Sequence, residues 1–253
     1  MQIDLSGRLA LVTGSTGQLG RVIVLTLARC GADVVIHYHQ NEEKALALQR
    51  LIEQEGRRAL PVQADITDKA SVDAMASLVK STLRAPEIII VCAVSQYKWL
   101  PLLEQDISCY EDQFRSCVMQ NVLIAKAFIP DMIQRSYGRF IGINTECAMQ
   151  CLPTQSAYVS GKRGMDGVLR VLAREVGEHG ITVNQVAPGW TISDNDREQG
   201  SEHNPDYEAH TALKRRGTDQ EIANAVAFLA SDLAGFITGV YLPVCGGYVM
   251  PAI

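Results

Sequence analysis

Apolar and polar positions fall in two kinds of block along this chain. Short runs in which nearly every residue is apolar are followed by longer stretches whose apolar residues recur at helical spacing. Leu9–Thr13 leads into a helical stretch over Leu19–Cys30, Asp33–His37 into Asn41–Glu55, and Ala59–Gln63 into a helix beginning near Lys69. The alternation continues with Glu87–Ala93, a long helix over Ile107–Arg135, Arg139–Asn144, a helix over Ser156–His179, and Ile181–Val186. Runs such as Ile88–Val94 are apolar without alternation, as strands are when both faces of their sheet are covered. The pattern predicts an α/β fold, a doubly wound parallel sheet with helices on both faces.

Gly31 and Gly180 stand where two of the helices must stop. No Pro/Ser/Gly-rich linker and no internal repeat divides the chain, so residues 1–253 are expected to form one domain of the Rossmann type. The exception to regularity is Thr191–Thr211, a stretch with little apolar content. A long irregular segment in a compact domain reads as a lid or a disordered loop, and a substrate lid is expected over about 190–211.

Composition narrows the function. The 253 residues carry 23 Lys plus Arg against 28 Asp plus Glu, a net charge of −5. No basic surplus is available to neutralise phosphates, so neither nucleic acid nor an anionic membrane surface is an expected partner. The start, MQIDLSGR, shows no basic segment leading into an apolar one, and Ile88–Val94 is far shorter than the roughly 20 residues of a spanning helix. A cytoplasmic location is the expectation. Seven cysteines without a C-x-x-C pair read as small buried apolar residues, with Cys147 and Cys151, four apart, the only pair worth noting for redox chemistry. No metal-ligand set is read.

The first strand runs into Thr13-Gly14-Ser15-Thr16-Gly17-Gln18-Leu19-Gly20 and then a helix. Glycines there allow a tight turn and let the backbone approach a pyrophosphate, which helix N-terminal amides stabilise. At the end of the second strand an acid would bond a ribose 2′-hydroxyl and repel a 2′-phosphate. The segment here is His37-Tyr38-His39-Gln40-Asn41, and the first acid, Glu42, falls in the next helix. That favours NADP(H) over NAD(H), although no Arg or Lys is present in the segment to grip the phosphate. Asp65, followed by Ile66, either bonds an adenine amino group or holds backbone amides in its own turn.

Tyr158 and Lys162 are separated by four positions on a helix and so project from one face. A neighbouring ammonium favours phenolate and lowers a tyrosine pKa from about 10, which makes a general acid/base. Thr145, at the end of the Arg139–Asn144 strand, places a hydroxyl where open α/β sheets bind ligands; a turn or cap role is its alternative. Asn184–Gly189 ends another strand in Pro188-Gly189.

Together these residues resemble the classical short-chain dehydrogenase/reductase family over nearly the whole chain. The tail GTDQEIANAVAFLASDLAGFITGVYLPVCGGYV is similar to that of its 3-oxoacyl-carrier-protein reductase and sugar-dehydrogenase-like members. The resemblance implies that Tyr158 passes the proton, Lys162 lowers its pKa and bonds the nicotinamide ribose, and Thr145 orients the carbonyl. It further implies that Gly14, Thr16, Gly17, Gln18, Leu19, Gly20, His39, Asp65, Ile66 and Ala93 contact the dinucleotide. Pro188, Gly189 and Thr191 would border the nicotinamide, with Ser193 near its carboxamide. A homo-oligomer, commonly a tetramer, is implied as well.

Five positions depart from the family pattern. Gln18 stands at the middle glycine of T-G-x-x-x-G-x-G, with Gly17 one place early. Val91-Cys92-Ala93-Val94 replaces N-N-A-G, Cys117 occupies the place of the long-helix asparagine with Asn121 one turn on, Thr145 replaces Ser, and Cys245 replaces a polar residue. Thr145 keeps the hydroxyl on a stiffer side chain. The lid carries six acids against Arg197, which places a charge of −5 there and disfavours an anionic substrate. Trp190, Tyr97, Trp99, Met149 and Leu152 are candidates for an apolar pocket. The leading expectation is a reductase or dehydrogenase for a neutral small-molecule carbonyl or alcohol. One alternative is a catalytically silent nucleotide-binding or regulatory protein, and another is epimerisation or dehydration on the same scaffold.

Overall fold

The computed structural model describes residues 2–251. Seven parallel strands form one sheet: β1 (Leu9–Val12), β2 (Asp33–Tyr38), β3 (Ala59–Gln63), β4 (Ile88–Val91), β5 (Gly138–Ile143), β6 (Ile181–Pro188) and β7 (Tyr241–Val244), ordered β3-β2-β1-β4-β5-β6-β7. The connecting helices are α1 (Gln18–Arg29), α2 (Glu42–Gln54), α3 (Lys69–Thr82), α4 (Ile107–Gln113), α5 (Gln120–Arg135), α6 (Cys147–Gln150), α7 (Ser156–Val176), α8 (Asp194–Gln199), α9 (Pro205–His210) and α10 (Asp219–Ala230). The strands run outward from β1 to β3, then resume on the other side of β1 at β4. The carboxyl ends of β1 and β4 therefore bound a crevice, where such sheets bind ligands.

Burial explains the unbroken apolar strands. Ala10, Val12, Ile88 and Ile90 face one core with α1, α2 and α10; Leu9, Leu11, Ile89 and Val91 face a second core with α3, α5 and α7. Both faces are covered, so both sets of alternating side chains must be apolar.

The long helix is interrupted. A π-helical segment, Phe114–Met119, joins α4 to α5 and turns Gln113, Ser116, Cys117, Gln120 and Asn121 inward. Residues 107–135 are long and apolar enough to cross a membrane, but Phe128 and Met132 of this rod are buried in the second core. The irregular segment expected over Thr191–Thr211 instead contains α8 and α9. Ser193 caps α8 through a reciprocal box with Asp196, and Asn204 caps α9 ahead of Pro205, so short polar sequences fold locally without an apolar stripe. β7 and α10 complete the sheet and its first core from the segment after Thr211.

Candidate functional site

A groove of about 770 Å³ opens at the β1/β4 crevice. Its walls include Gly14, Thr16, Gly17, Gln18, Leu19, Gly20, His39, Asp65, Ile66, Ala93, Thr145, Tyr158, Lys162, Pro188, Gly189 and Thr191. Ser193 is not among them. Its hydroxyl donates to Asp196 Oδ2 at 2.7 Å and accepts the Asp196 N–H at 3.0 Å, which caps α8.

The turn after β1 fits a pyrophosphate. Gly14 has φ +67°, and a Cβ there would lie 2.9 Å from Ala93 Cα; one on Gly20 would lie 2.1 Å from the Gly14 carbonyl oxygen. Only glycine permits this close path. Gly17 begins α1 without a side-chain cap, which leaves first-turn N–H groups for an anion. His37 braces the turn from the neighbouring strand: Nδ1 accepts the Gly14 N–H at 2.9 Å and Nε2 lies 3.0 Å from the Ala64 carbonyl. Those two contacts define a neutral ring protonated on Nε2, and burial depresses its pKa to about 4. Gln18, at the position of a family glycine, donates to the Ile192 carbonyl at 2.8 Å and tethers the turn to the segment after Gly189.

Apolar residues after β4 do not leave that edge unsupported. Thr13 Oγ1 accepts the N–H groups of Cys92 and Ala93 and donates to Gln120 Oε1 at 2.7 Å, while Gln120 Nε2 donates to the Ala93 carbonyl at 2.9 Å. The Cys92 thiol, pushed up to about 11 by burial, behaves as a small apolar group. Asp65 Oδ1 accepts from the Thr67 N–H and hydroxyl, so the turn contact is present at a residue that also faces the groove. Cys147 and Cys151 are free thiols at the two ends of α6.

Beyond Thr145 lies a second cavity of about 560 Å³ with Tyr97, Trp99, Leu152, Trp190, Tyr207 and Tyr248 in its walls. Met149, expected here, is not one of its lining residues. Thr145 and Tyr158 line both cavities and so form their common boundary. The backbone of Thr145 is fixed by Asn144 Oδ1, which accepts its N–H at 2.9 Å, and by the Tyr241 hydroxyl, which donates to its carbonyl.

The Tyr158–Lys162 pair is assembled differently from the expected one. Lys162 Nζ lies 5.7 Å from the Tyr158 ring centroid and donates to the Ile143 carbonyl at 2.6 Å. Burial beneath Tyr97 raises the Tyr158 pKa; the Thr145 hydroxyl beside it pulls the other way. Desolvation of the phenolate outweighs the stabilisation that the spacing alone predicts.

The lid charge is also redistributed. Asp194 pairs with Arg21 at 2.8 Å and Arg197 at 3.0 Å, Asp196 with Arg216 at 2.8 Å, and Arg197 with Asp219 at 2.9 Å. These six groups balance, so the acidity summed along the sequence resides on Glu198, Glu202, Asp206 and Glu208. Two of the arginines lie outside the segment, where a local count does not reach them.

Several groups at the site carry little signal in the sequence. His37 is legible as a lone imidazole in an apolar strand, and Glu146 as an acid three residues beyond β5. Arg115, which supplies a cation to the groove wall, Gln120 and Tyr207 carry no local signal.

Residues 15–249 match the family described as Enoyl-(Acyl carrier protein) reductase. The 3-oxoacyl-(acyl-carrier-protein) reductase of Staphylococcus aureus is 31% identical over 251 residues, 95% of this chain and 98% of the relative. A blue fluorescent protein from a metagenomic library, solved with NADPH, superposes with a TM-score of 0.88 at 30% identity over 98% of this chain and 100% of that one. A 7α-hydroxysteroid dehydrogenase solved with NADH and 7-oxo glycochenodeoxycholic acid superposes with a TM-score of 0.89 at 28% identity, covering 99% and 97%. With its groove, its Thr145–Tyr158–Lys162 set and these relatives, the chain belongs to the classical short-chain dehydrogenase/reductase family of NAD(P)(H)-dependent oxidoreductases that interconvert carbonyls and alcohols.

Proposed function

We propose that this protein is an NADP(H)-preferring reductase or dehydrogenase acting on a small-molecule ketone or alcohol held in the aromatic cavity. The observation that carries the proposal is that Thr145 and Tyr158 line both the dinucleotide groove and that cavity. A carbonyl placed at this boundary meets two hydroxyls.

When bound, a nicotinamide dinucleotide supplies or accepts the hydride. The glycine turn and the α1 amides would hold its pyrophosphate, and Pro188, Gly189 and Thr191 would line the nicotinamide part of the groove. Thr145 donates a hydrogen bond to the substrate oxygen and aims it at Tyr158. The Tyr158 hydroxyl donates its proton to that oxygen in reduction and recovers it in oxidation. Lys162 uses one N–H on Ile143, which leaves its remaining donors for a ribose hydroxyl, and its charge favours the phenolate that proton transfer leaves. The rings of Tyr97 and Trp99 against Tyr158 cover part of the phenol from water.

NADP(H) preference is supported by the absence of an acid in His39-Gln40-Asn41, all three of which line the groove. The solved relatives include both an NADPH and an NADH complex, so preference rests on this chain's own residues. Residues 190–211 act as the lid of a single domain, in a cytoplasmic homo-oligomer. Titration of the purified protein with NADPH and NADH by nucleotide fluorescence tests the proposal. Tighter binding of NADPH supports it, and no binding of either at millimolar concentration removes it.

A further inference from the structure

The aromatic cavity contains one acidic side chain, Glu146. It follows Thr145 directly and is 3% exposed. Its Oε1 accepts the Tyr207 hydroxyl at 2.9 Å and the Trp190 N–H at 3.2 Å, so both oxygen geometry and lid position are fixed from a distance in sequence. Its Oε2 is buried and has no hydrogen-bond partner among the described residues. Burial raises the carboxyl pKa, while Tyr207, the nearby Gln150 amide and the Trp190 N–H oppose that shift; Gln150 does not reach hydrogen-bond geometry on Oε2. A buried carboxyl oxygen left without a donor is costly, so a donor from a bound molecule at this wall of the cavity would be stabilising. Tyr97, Trp99, Leu152, Trp190 and Tyr248 present aromatic or aliphatic faces around it, and the amides of Gln150 and Gln155 add uncharged polar groups to the cavity wall.

On the reading of this cavity as the substrate site, we propose that Glu146 is a specificity-determining residue whose free Oε2 accepts a hydrogen bond from a donor on the substrate. The donor is a hydroxyl or an ammonium group. Adjacent Cα atoms are about 3.8 Å apart, so a substrate oxygen held at Thr145 brings the donor within a few bonds of the reacting carbonyl. The aromatic walls suit either source: they pack against the C–H faces of a hydroxylated chain and attract a cation. The substrate class is thus a hydroxy- or amino-substituted ketone, or the corresponding alcohol.

Trp99 and Trp190 are the two tryptophans of the chain, and both line the cavity, so intrinsic fluorescence reports its occupancy independently of turnover. Three ketones of one carbon skeleton, unsubstituted, hydroxylated and aminated next to the carbonyl, are titrated in the presence of NADPH, and their kcat/KM values are measured. The wild type is expected to bind and reduce at least one donor-bearing ketone about tenfold better than the unsubstituted one. Glu146→Leu brings that ratio close to one. Glu146→Gln keeps Oε1 for Tyr207 and Trp190; it retains preference for a hydroxyl but loses preference for an ammonium, which separates the two sources. A merely structural role lowers all three ketones alike and leaves the ratio intact, which overturns the proposal. Equal affinity of the wild type for all three overturns it too, while NADPH binding and turnover of the unsubstituted ketone leave the oxidoreductase reading standing.

Discussion

The ring of Tyr97 lies flat on the ring of Tyr158, with centroids 4.4 Å apart and 14° between planes, and Trp99 meets the same ring edge-on at 6.0 Å. The segment after β4 thereby covers one face of the proposed proton donor, which is half-buried at the boundary of the two cavities. Burial, to which this stack contributes, is the largest cause of the raised Tyr158 pKa, and it outweighs the opposing hydrogen bonds from Thr145 and Tyr97. Replacing Tyr97 with Ala readmits water, so the phenolate forms at lower pH. The pH profile of kcat/KM for alcohol oxidation is expected to move down by about one unit, and an unmoved profile would show that Tyr97 does not set the environment.

Tyr158→Phe removes the proton while keeping the ring stacked beneath Tyr97. Turnover is expected to fall at least 10²-fold, with NADPH affinity changed little. Full turnover on an identified substrate would mean that another group passes the proton.

His37 makes the groove sensitive to acid. Above pH 6.5 the ring is neutral in both folded and unfolded chains, and it contributes no pH dependence. As pH falls from 6.5 toward about 4, the unfolded chain takes up the proton first, so stability declines across that window and levels off below it. The shift corresponds to roughly 3 kcal/mol for this fully buried ring. Protonation of Nδ1 also removes the acceptor for the Gly14 N–H, so NADPH binding weakens over the same range. Denaturant titrations of wild type and His37→Phe from pH 7.5 to 4.5 check this, since the variant must lose that part of the slope.

Gly20→Ala would press a methyl group against the Gly14 carbonyl, where the ideal Cβ position is only 2.1 Å from that oxygen. Relief requires the turn to move, at a cost of about 1–3 kcal/mol. Thermal melts are expected to show destabilisation, and NADPH affinity is expected to drop more than tenfold.

His39→Asp introduces the acid that the end of β2 lacks. NADPH binding is expected to weaken by at least tenfold while NADH binding is retained or improved. Equal losses for both nucleotides would place the 2′-position elsewhere in the groove.

Much of this molecule is determined by sequence neighbours. Residue-to-residue period distinguishes β1–β6 from their helices, glycines specify the turn before α1, and spacing by four sets Tyr158 and Lys162 on one face of α7. Such properties survive in any environment because they depend on backbone geometry and on side chains a turn apart. Tertiary packing decided the rest. It placed β4 beside β1, and so Ala93 against Gly14. It brought Arg21 and Arg216 to the acids of the lid and turned Tyr207 onto Glu146, 61 positions away. It also reversed the expected direction of the Tyr158 pKa, because desolvation is set by which distant side chains cover a group. Ser193 shows the same division: its residue type suits either a ligand contact or a helix cap, and only the fold of α8 reveals which partner holds its hydroxyl.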